Sequence, residues 1–223
     1  MSAEKIHVYF VPGLAAGKEI FRNINLPEDQ FEMHILEWII PKNKEKLADY
    51  AKRMAARIKH PEPVLIGVSF GGVVAQEMSV FLTLRKLLII SSVKTKKELP
   101  KRLRFARNTG AYKLVPTRLV LSAKDLTKFA VGPKTEKRLK LYQDYLHVRD
   151  KRYLDWAIRE MVCWKRTEVV KNVIHIHGDN DPVFPAKYID NSEIIIGGTH
   201  VMIINKGSEI SKKIVTIIED NNN

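Results

Sequence analysis

Short apolar runs typical of β-strands alternate with stretches of helical periodicity along most of this chain. The run Val64–Val68 (VLIGV) is apolar at every position, which is typical of a strand covered on both faces. The segment Lys44–Lys59 carries apolar residues three and four positions apart, which indicates an amphipathic helix. Such alternation favours a mostly parallel sheet with helices on both faces. The sequence therefore predicts a doubly wound α/β fold with about six strands.

The same pattern gives approximate bounds for these elements. Strands are predicted at Ile6–Val11, Met33–Trp38, Val64–Val68, Lys86–Ser91, Val173–His177 and Glu193–Ile196. Helices are predicted at Lys18–Asn23, Lys44–Lys59, Phe70–Leu82 and over most of His200–Glu219.

The middle of the chain departs from this alternation. We interpret residues 94–171 as a basic helical cap inserted into a core domain made of residues 1–93 and 172–223, with cap helices at about 98–107, 118–130, 135–148 and 151–164. Residues 94–172 hold 22 Lys and Arg against 8 Asp and Glu, whereas the rest of the chain holds 16 against 17. The net charge of +13 is therefore concentrated on one internal segment.

Composition excludes several classes of protein. With 223 residues, 45% of them hydrophobic and 28% charged, the chain is typical of a globular protein and not of a disordered or collagen-like one. Its single cysteine, Cys163, cannot form an internal disulfide, and we expect a buried structural thiol. The sequence contains no apolar run near the roughly 20 residues that span a bilayer. We therefore expect a cytoplasmic protein.

The sharpest local motif is Gly67-Val68-Ser69-Phe70-Gly71, a G-x-S-x-G sequence between a buried strand and a helix. A serine on such a turn projects its hydroxyl away from the sheet, and the residues two before and two after must be small. The backbone N–H of Phe70, at the start of the helix, then points towards developing negative charge. The motif predicts a nucleophilic serine; the alternative is a tight glycine turn without chemistry.

A serine nucleophile needs a base and an acid that orients the base. Both residue types follow later strands: Asp179 and Asp181 come after one strand, and His200 comes after the next. The carboxyl ends of parallel strands share one edge of a sheet, so these side chains are expected on the same side as Ser69. The order Ser, Asp, His is that of α/β-hydrolases.

On these motifs the chain resembles the α/β-hydrolase superfamily, over roughly two-thirds of its length. The resemblance implies Ser69 as nucleophile, His200 as general base and Asp181, in a His-Gly-x-x-Asp motif, as orienting acid, with Asp179 as its competitor. It also implies that Leu14 and Phe70 supply the backbone N–H groups of an oxyanion hole. Pro12 stands where the family usually has histidine, which leaves a backbone donor intact. The resemblance puts Met33–Trp38 at a sheet edge. The implied chemistry needs no cofactor, and we expect no metal.

These residues predict a serine hydrolase that cleaves a carboxylic ester or thioester through an acyl-enzyme. Two alternatives remain: a non-catalytic binding protein that holds an anionic partner with its basic cap, or acyl transfer or C–C cleavage by the same triad. The cap is either a solvated lid or a surface for an anionic substrate, such as one on an acidic acyl carrier. The aromatic residues in it either line an acyl pocket or hold the lid helices together. No nucleic-acid motif is present, so no nucleic-acid partner is expected.

Two other motifs carry weaker signals. Gly13–Lys18 is similar to a phosphate-binding loop but has three residues between its glycines instead of four, and Glu19 replaces the Ser or Thr that would bind magnesium. His175 and His177 alternate along one predicted strand and could bind a metal with His200. We expect packed or hydrogen-bonded histidines there instead.

Overall fold

A computed structural model describes residues 4–114 and 148–220 of the chain. The described residues form a six-stranded sheet in the order β2-β1-β3-β4-β5-β6, and every neighbouring pair is parallel. The predicted α/β sheet is therefore confirmed. The strand predicted at Met33–Trp38 lies at one edge as expected, but it is formed by Phe31–Ile35. The strands are β1 (Ile6–Val11), β2 (Phe31–Ile35), β3 (Val64–Val68), β4 (Lys86–Ile90), β5 (Val173–Gly178) and β6 (Glu193–Ile195).

Helices flank the sheet on both sides. They are α1 (Leu47–Ala55), α2 (Phe70–Met78), α3 (Lys101–Thr109), α4 (Lys151–Val162), α5 (Met202–Asn205) and α6 (Gly207–Glu219). Because side chains alternate along a strand, Tyr9 and Leu65 pack with α1, α2 and α4, whereas Phe10 and Ile66 pack with α5 and α6. Two separate buried clusters, one on each face, make the sheet doubly wound.

Three predicted helices are shorter than expected. The helix predicted over Phe70–Leu82 ends as an α-helix at Met78 and is followed by a 3-10 turn, Ser79–Phe81. The helix predicted over Lys44–Lys59 is limited to α1, because Lys44 has a left-handed φ of 55° and the chain after Ala55 closes in turns. The helix predicted over Lys18–Asn23 is a single 3-10 turn, Lys18–Phe21. Apolar spacing marks which residues are buried but not where backbone hydrogen bonding stops.

The segment between β4 and β5 contains α3 and α4, close to two of the predicted cap helices. The helices predicted at 118–130 and 135–148 lie outside the described residues apart from Val148. Aromatic residues of α4 hold it against the core: Trp156 packs on Tyr50 with ring centroids 4.2 Å apart and donates from Nε1 to the Glu45 carbonyl at 2.9 Å. The division into core and cap stays a prediction.

No helix among the described residues has both the length and the apolar character needed to cross a membrane. The longest of them, α6, is 13 residues long.

Gly71 lies where α2 crosses the end of β1, and we expect its replacement to be strongly destabilising. A Cβ there would lie 2.3 Å from the Pro12 carbonyl oxygen and 2.4 Å from that of Val11, and backbone atoms cannot move aside. Gly71→Ala should lower the free energy of unfolding by about 3 kcal/mol or more. Gly13→Ala is the control, because its Cβ would meet neighbours only at 3.7 Å. Equal urea midpoints for both variants would contradict the prediction.

Candidate active site

Ser69 lies on the sharp turn between β3 and α2. Its backbone has φ 53° and ψ −119°, a conformation that L-residues rarely adopt and that often marks a functional position. The turn is tied to the sheet because the Ser69 N–H donates to the Ile90 carbonyl at 2.9 Å and the Ser92 hydroxyl donates to the Ser69 carbonyl at 2.7 Å. A Cβ on Gly67 would lie 2.3 Å from the Gly71 carbonyl oxygen, so the turn needs glycine there.

The structure brings Ser69, His200 and Asp181 into one hydrogen-bonded chain. Ser69 Oγ lies 2.9 Å from His200 Nε2, and His200 Nδ1 lies 2.8 Å from Asp181 Oδ2. A carboxylate only accepts, so Nδ1–H donates to Asp181. The neutral ring then has its lone pair on Nε2, where it accepts the Ser69 hydroxyl proton. This is the arrangement that a general base requires.

Asp181 is buried and heavily hydrogen-bonded. Its Oδ1 accepts the backbone N–H groups of Val183 at 2.7 Å and Phe184 at 2.9 Å. Burial by itself would raise the pKa of this carboxyl, but His200, the Phe184 N–H and His177 together hold the pKa below its usual value. The carboxyl is thus ionised at neutral pH. Asp179 is exposed, so of the two candidates it is Asp181 that contacts His200.

The loop after β1 lies beside the serine. A Cβ on Gly13 would be 3.7 Å from the Ser69 Cβ, which places the loop residue Leu14 next to the turn. In the described part of the chain, the N–H groups of Leu14 and Phe70 donate to no protein acceptor. Trp38 holds this region, since its Nε1 donates to the Gly13 carbonyl at 3.0 Å and its ring stacks on Phe70 with centroids 5.6 Å apart. The use of the Leu14 and Phe70 N–H groups as an oxyanion hole stays a prediction.

Two buried histidines on β5 support the Asp181 loop, and the sequence did not reveal this role. His177 Nε2–H donates to the Phe184 carbonyl at 2.8 Å, so its Nδ1 must accept from His175 Nε2–H at 3.1 Å. In the described ranges, His175, His177 and His200 are not among the residues whose ligand atoms lie close enough together to hold one metal ion. They are packed and hydrogen-bonded, as expected.

Protein stability should fall as the pH drops from about 7.5 to about 5.5, because burial depresses the pKa values of His175 and His177. An unfolded histidine titrates near 6.5, so below that pH the unfolded chain binds more protons than the folded one. The stabilisation is complete above pH 6.5 and is lost as the pH falls. We expect a lower melting temperature at pH 5.5 and a weaker pH dependence in His175→Gln, which keeps a donor for His177. An unchanged dependence in the variant would contradict this account.

The burial of the single cysteine differs from the prediction. Cys163 is half-buried at the end of α4 and not fully buried as predicted.

Comparison with known proteins identifies the fold. No protein-family model and no curated protein sequence matches the chain. Among solved structures, a thermophilic esterase from Thermogutta terrifontis is similar with a TM-score of 0.69 at 12% identity, over 97% of this chain and 90% of the esterase. A hydrolase from Oleispira antarctica has a TM-score of 0.69 at 12% identity, over 99% and 93% of the two chains. A bromoperoxidase from Bacillus anthracis has a TM-score of 0.68 at 14% identity, over 97% and 90%.

These proteins carry different activities on one architecture, and at such identities the likeness defines the fold and not the reaction. The resemblance inferred from the sequence is thereby confirmed at the level of the fold: this chain is an α/β-hydrolase-fold protein.

Proposed function

We propose that this protein is a serine hydrolase that cleaves a carboxylic ester or thioester through an acyl-enzyme intermediate. The observation that supports this most is the unbroken hydrogen-bond chain from Ser69 through His200 to Asp181, at 2.9 Å and 2.8 Å. A serine hydroxyl is a weak nucleophile until a base is within reach of its proton. Here the base is in reach and its orientation is fixed by a buried carboxylate.

The reaction follows from the atoms in this chain. Ser69 Oγ attacks the substrate carbonyl carbon while His200 Nε2 takes its proton, and the Asp181 carboxylate stabilises the resulting imidazolium. The backbone N–H groups of Leu14 and Phe70 donate to the oxyanion. The leaving alcohol or thiol departs with the proton from His200. Water then attacks the acyl-enzyme by the same route and restores Ser69.

We also propose that the protein prefers anionic substrates. Helix α3 carries four basic side chains and no acidic one, beside the loop of Asp181: Arg102 donates to the carbonyls of Pro182 and Val183, both at 2.8 Å. Such a surface raises the local concentration of an anionic group, such as a phosphate or an acidic carrier, near the site.

A panel of aryl esters and acyl thioesters, graded in chain length and charge, tests the function. We expect turnover of at least one neutral ester and a kcat/KM for anionic thioesters that falls with added salt more steeply than that of the neutral ester. Equal salt dependence would refute the charge preference alone. Absence of hydrolysis across the panel would refute the hydrolase proposal and favour a binding protein or a transferase on the same fold.

A further inference from the structure

Three histidines from distant parts of the chain meet at the β2 edge of the sheet. His7, His34 and His60 each offer a ring nitrogen, and these three atoms lie within 4.8 Å of one another. His7 Nδ1 is 3.0 Å from His34 Nε2, and the ring of His60 stacks on that of His7 with centroids 3.4 Å apart. All three are partly exposed, so solvent ions reach them. The cluster shares no residue with the Ser69 site.

The sheet register holds two of these side chains side by side. In the parallel pair of β1 and β2, His7 lies opposite Glu32 and Tyr9 lies opposite His34. Alternation along each strand therefore puts the four side chains on one face. His60 comes from the segment between α1 and β3, and its ring lies 4.9 Å from that of His34 between centroids. The cluster is set by the fold and not by chance contacts of flexible surface side chains.

The spacing suits a tetrahedral metal ion. Zn²⁺ binds imidazole nitrogen at about 2.0–2.1 Å, so two such ligands on one tetrahedral ion lie about 3.3–3.4 Å apart. The 3.0 Å between His7 and His34 needs only a few tenths of an ångström and ring rotation to reach that separation. A ligand histidine binds the ion through the lone pair of a neutral imidazole ring.

The surroundings supply the other parts of such a site. The Glu32 carboxylate lies 3.7 Å from His7 Nδ1 and 3.6 Å from His34 Nε2, where it can act as a fourth ligand or as a counter-charge. The Tyr9 hydroxyl lies 2.7 Å from His60 Nδ1. When Nδ1–H donates to that hydroxyl, the lone pair of His60 is on Nε2, which is how outer groups commonly orient ligand histidines. Imidazoles with one carboxylate select transition metals over Mg²⁺ or Ca²⁺.

We propose that His7, His34 and His60, together with Glu32, bind a divalent transition metal ion of the Zn²⁺ type at the β1–β2 edge. The ion links the edge strand to its neighbour and to the segment that enters β3. It therefore stabilises the fold without taking part in the chemistry at Ser69. This proposal does not depend on the proposed hydrolase activity.

Metal titration of the full, tag-free chain tests the proposal. After chelator treatment, isothermal titration calorimetry with Zn²⁺ should give one ion per chain, and Co²⁺ should give the visible spectrum of a four-coordinate ion. Zn²⁺ at about a hundredfold excess over Kd should raise the melting temperature by about 5 °C. His34→Gln and His60→Gln should each weaken binding about a hundredfold and remove the thermal shift. His200→Gln, which removes the triad imidazole, should bind like the parent.

Two results would overturn the proposal. One is no heat and no thermal shift for the parent at about 100 μM Zn²⁺, a concentration that saturates a site of micromolar Kd. The other is binding that His200→Gln abolishes and His60→Gln retains. Circular dichroism melts without metal report whether each variant folds. If His34→Gln does not fold, Glu32→Gln on the exposed side of the cluster takes its place, with an expected loss of about tenfold.

Discussion

Replacing Ser69 with alanine should lower kcat/KM for any hydrolysed ester by at least about 10⁴-fold, because the variant has no atom to form the acyl-enzyme. The hydroxyl is half-buried and donates only to His200 among the described contacts, so its loss should lower the stability of the folded protein only slightly. We expect the melting temperature to change by less than about 3 °C. Initial rates with a neutral aryl ester, together with a thermal melt of the same sample, measure both quantities.

Ser208→Ala is the control for this variant, since Ser208 is exposed on α6 and is not part of the hydrogen-bonded chain of Ser69, His200 and Asp181. It should keep the parent's rate and stability. If Ser69→Ala retained more than about a hundredth of the activity, a residue other than Ser69 would carry the reaction. If it lost activity only because it melted early, the role of the hydroxyl would be structural.

The second large effect is expected for Asp181→Asn, with a loss of about 10³–10⁴-fold in kcat. The carboxylate accepts Nδ1–H of His200 at 2.8 Å, and an amide that turns its NH₂ towards the ring favours the tautomer with the proton on Nε2. That tautomer cannot accept the Ser69 proton. The amide oxygen still accepts the two backbone N–H groups bound by Asp181 Oδ1, but without the charge that strengthens these bonds, so the variant should also lose about 1 kcal/mol of stability.

Asp179→Asn is the matched control, because it makes the same chemical change two residues away on the exposed side of the loop. It should retain activity within about twofold of the parent. Steady-state rates measured well below each melting temperature separate the catalytic from the structural effect. The reverse outcome, with Asp179→Asn impaired and Asp181→Asn active, would assign the acid to Asp179.

Most of the fold was predictable because its central strands are apolar throughout. The bounds of β1 and β3 were predicted to the residue, since Pro12 and the Gly67–Gly71 turn end them. The ends of α1 were not predicted, because Lys44 has a left-handed φ and a lysine in the sequence does not indicate that conformation. Lysine is common in helices, so the start of α1 is determined by tertiary contacts and not by this residue type.

The positions of the triad residues were predictable from chain order, because each follows a parallel strand and such strand ends share one edge. The contacts that position them were not. Trp38 donates to the Gly13 carbonyl, which is 25 residues away in the sequence. In the sequence, His175 and His177 are ordinary strand residues, and their tautomers follow only from the hydrogen bond to the Phe184 carbonyl in the structure. The three histidines at the β2 edge are 27 and 26 residues apart in sequence, and no motif joins them.

Covalent labelling shows whether Ser69 is an activated nucleophile. A fluorophosphonate probe reacts with a serine whose proton is removed by a neighbouring base and not with an ordinary hydroxyl. We expect one adduct per chain, located by peptide mass spectrometry on the segment that contains Ser69, and none in Ser69→Ala or His200→Gln. An unlabelled parent chain at full probe excess, or a label on another serine, would contradict this expectation.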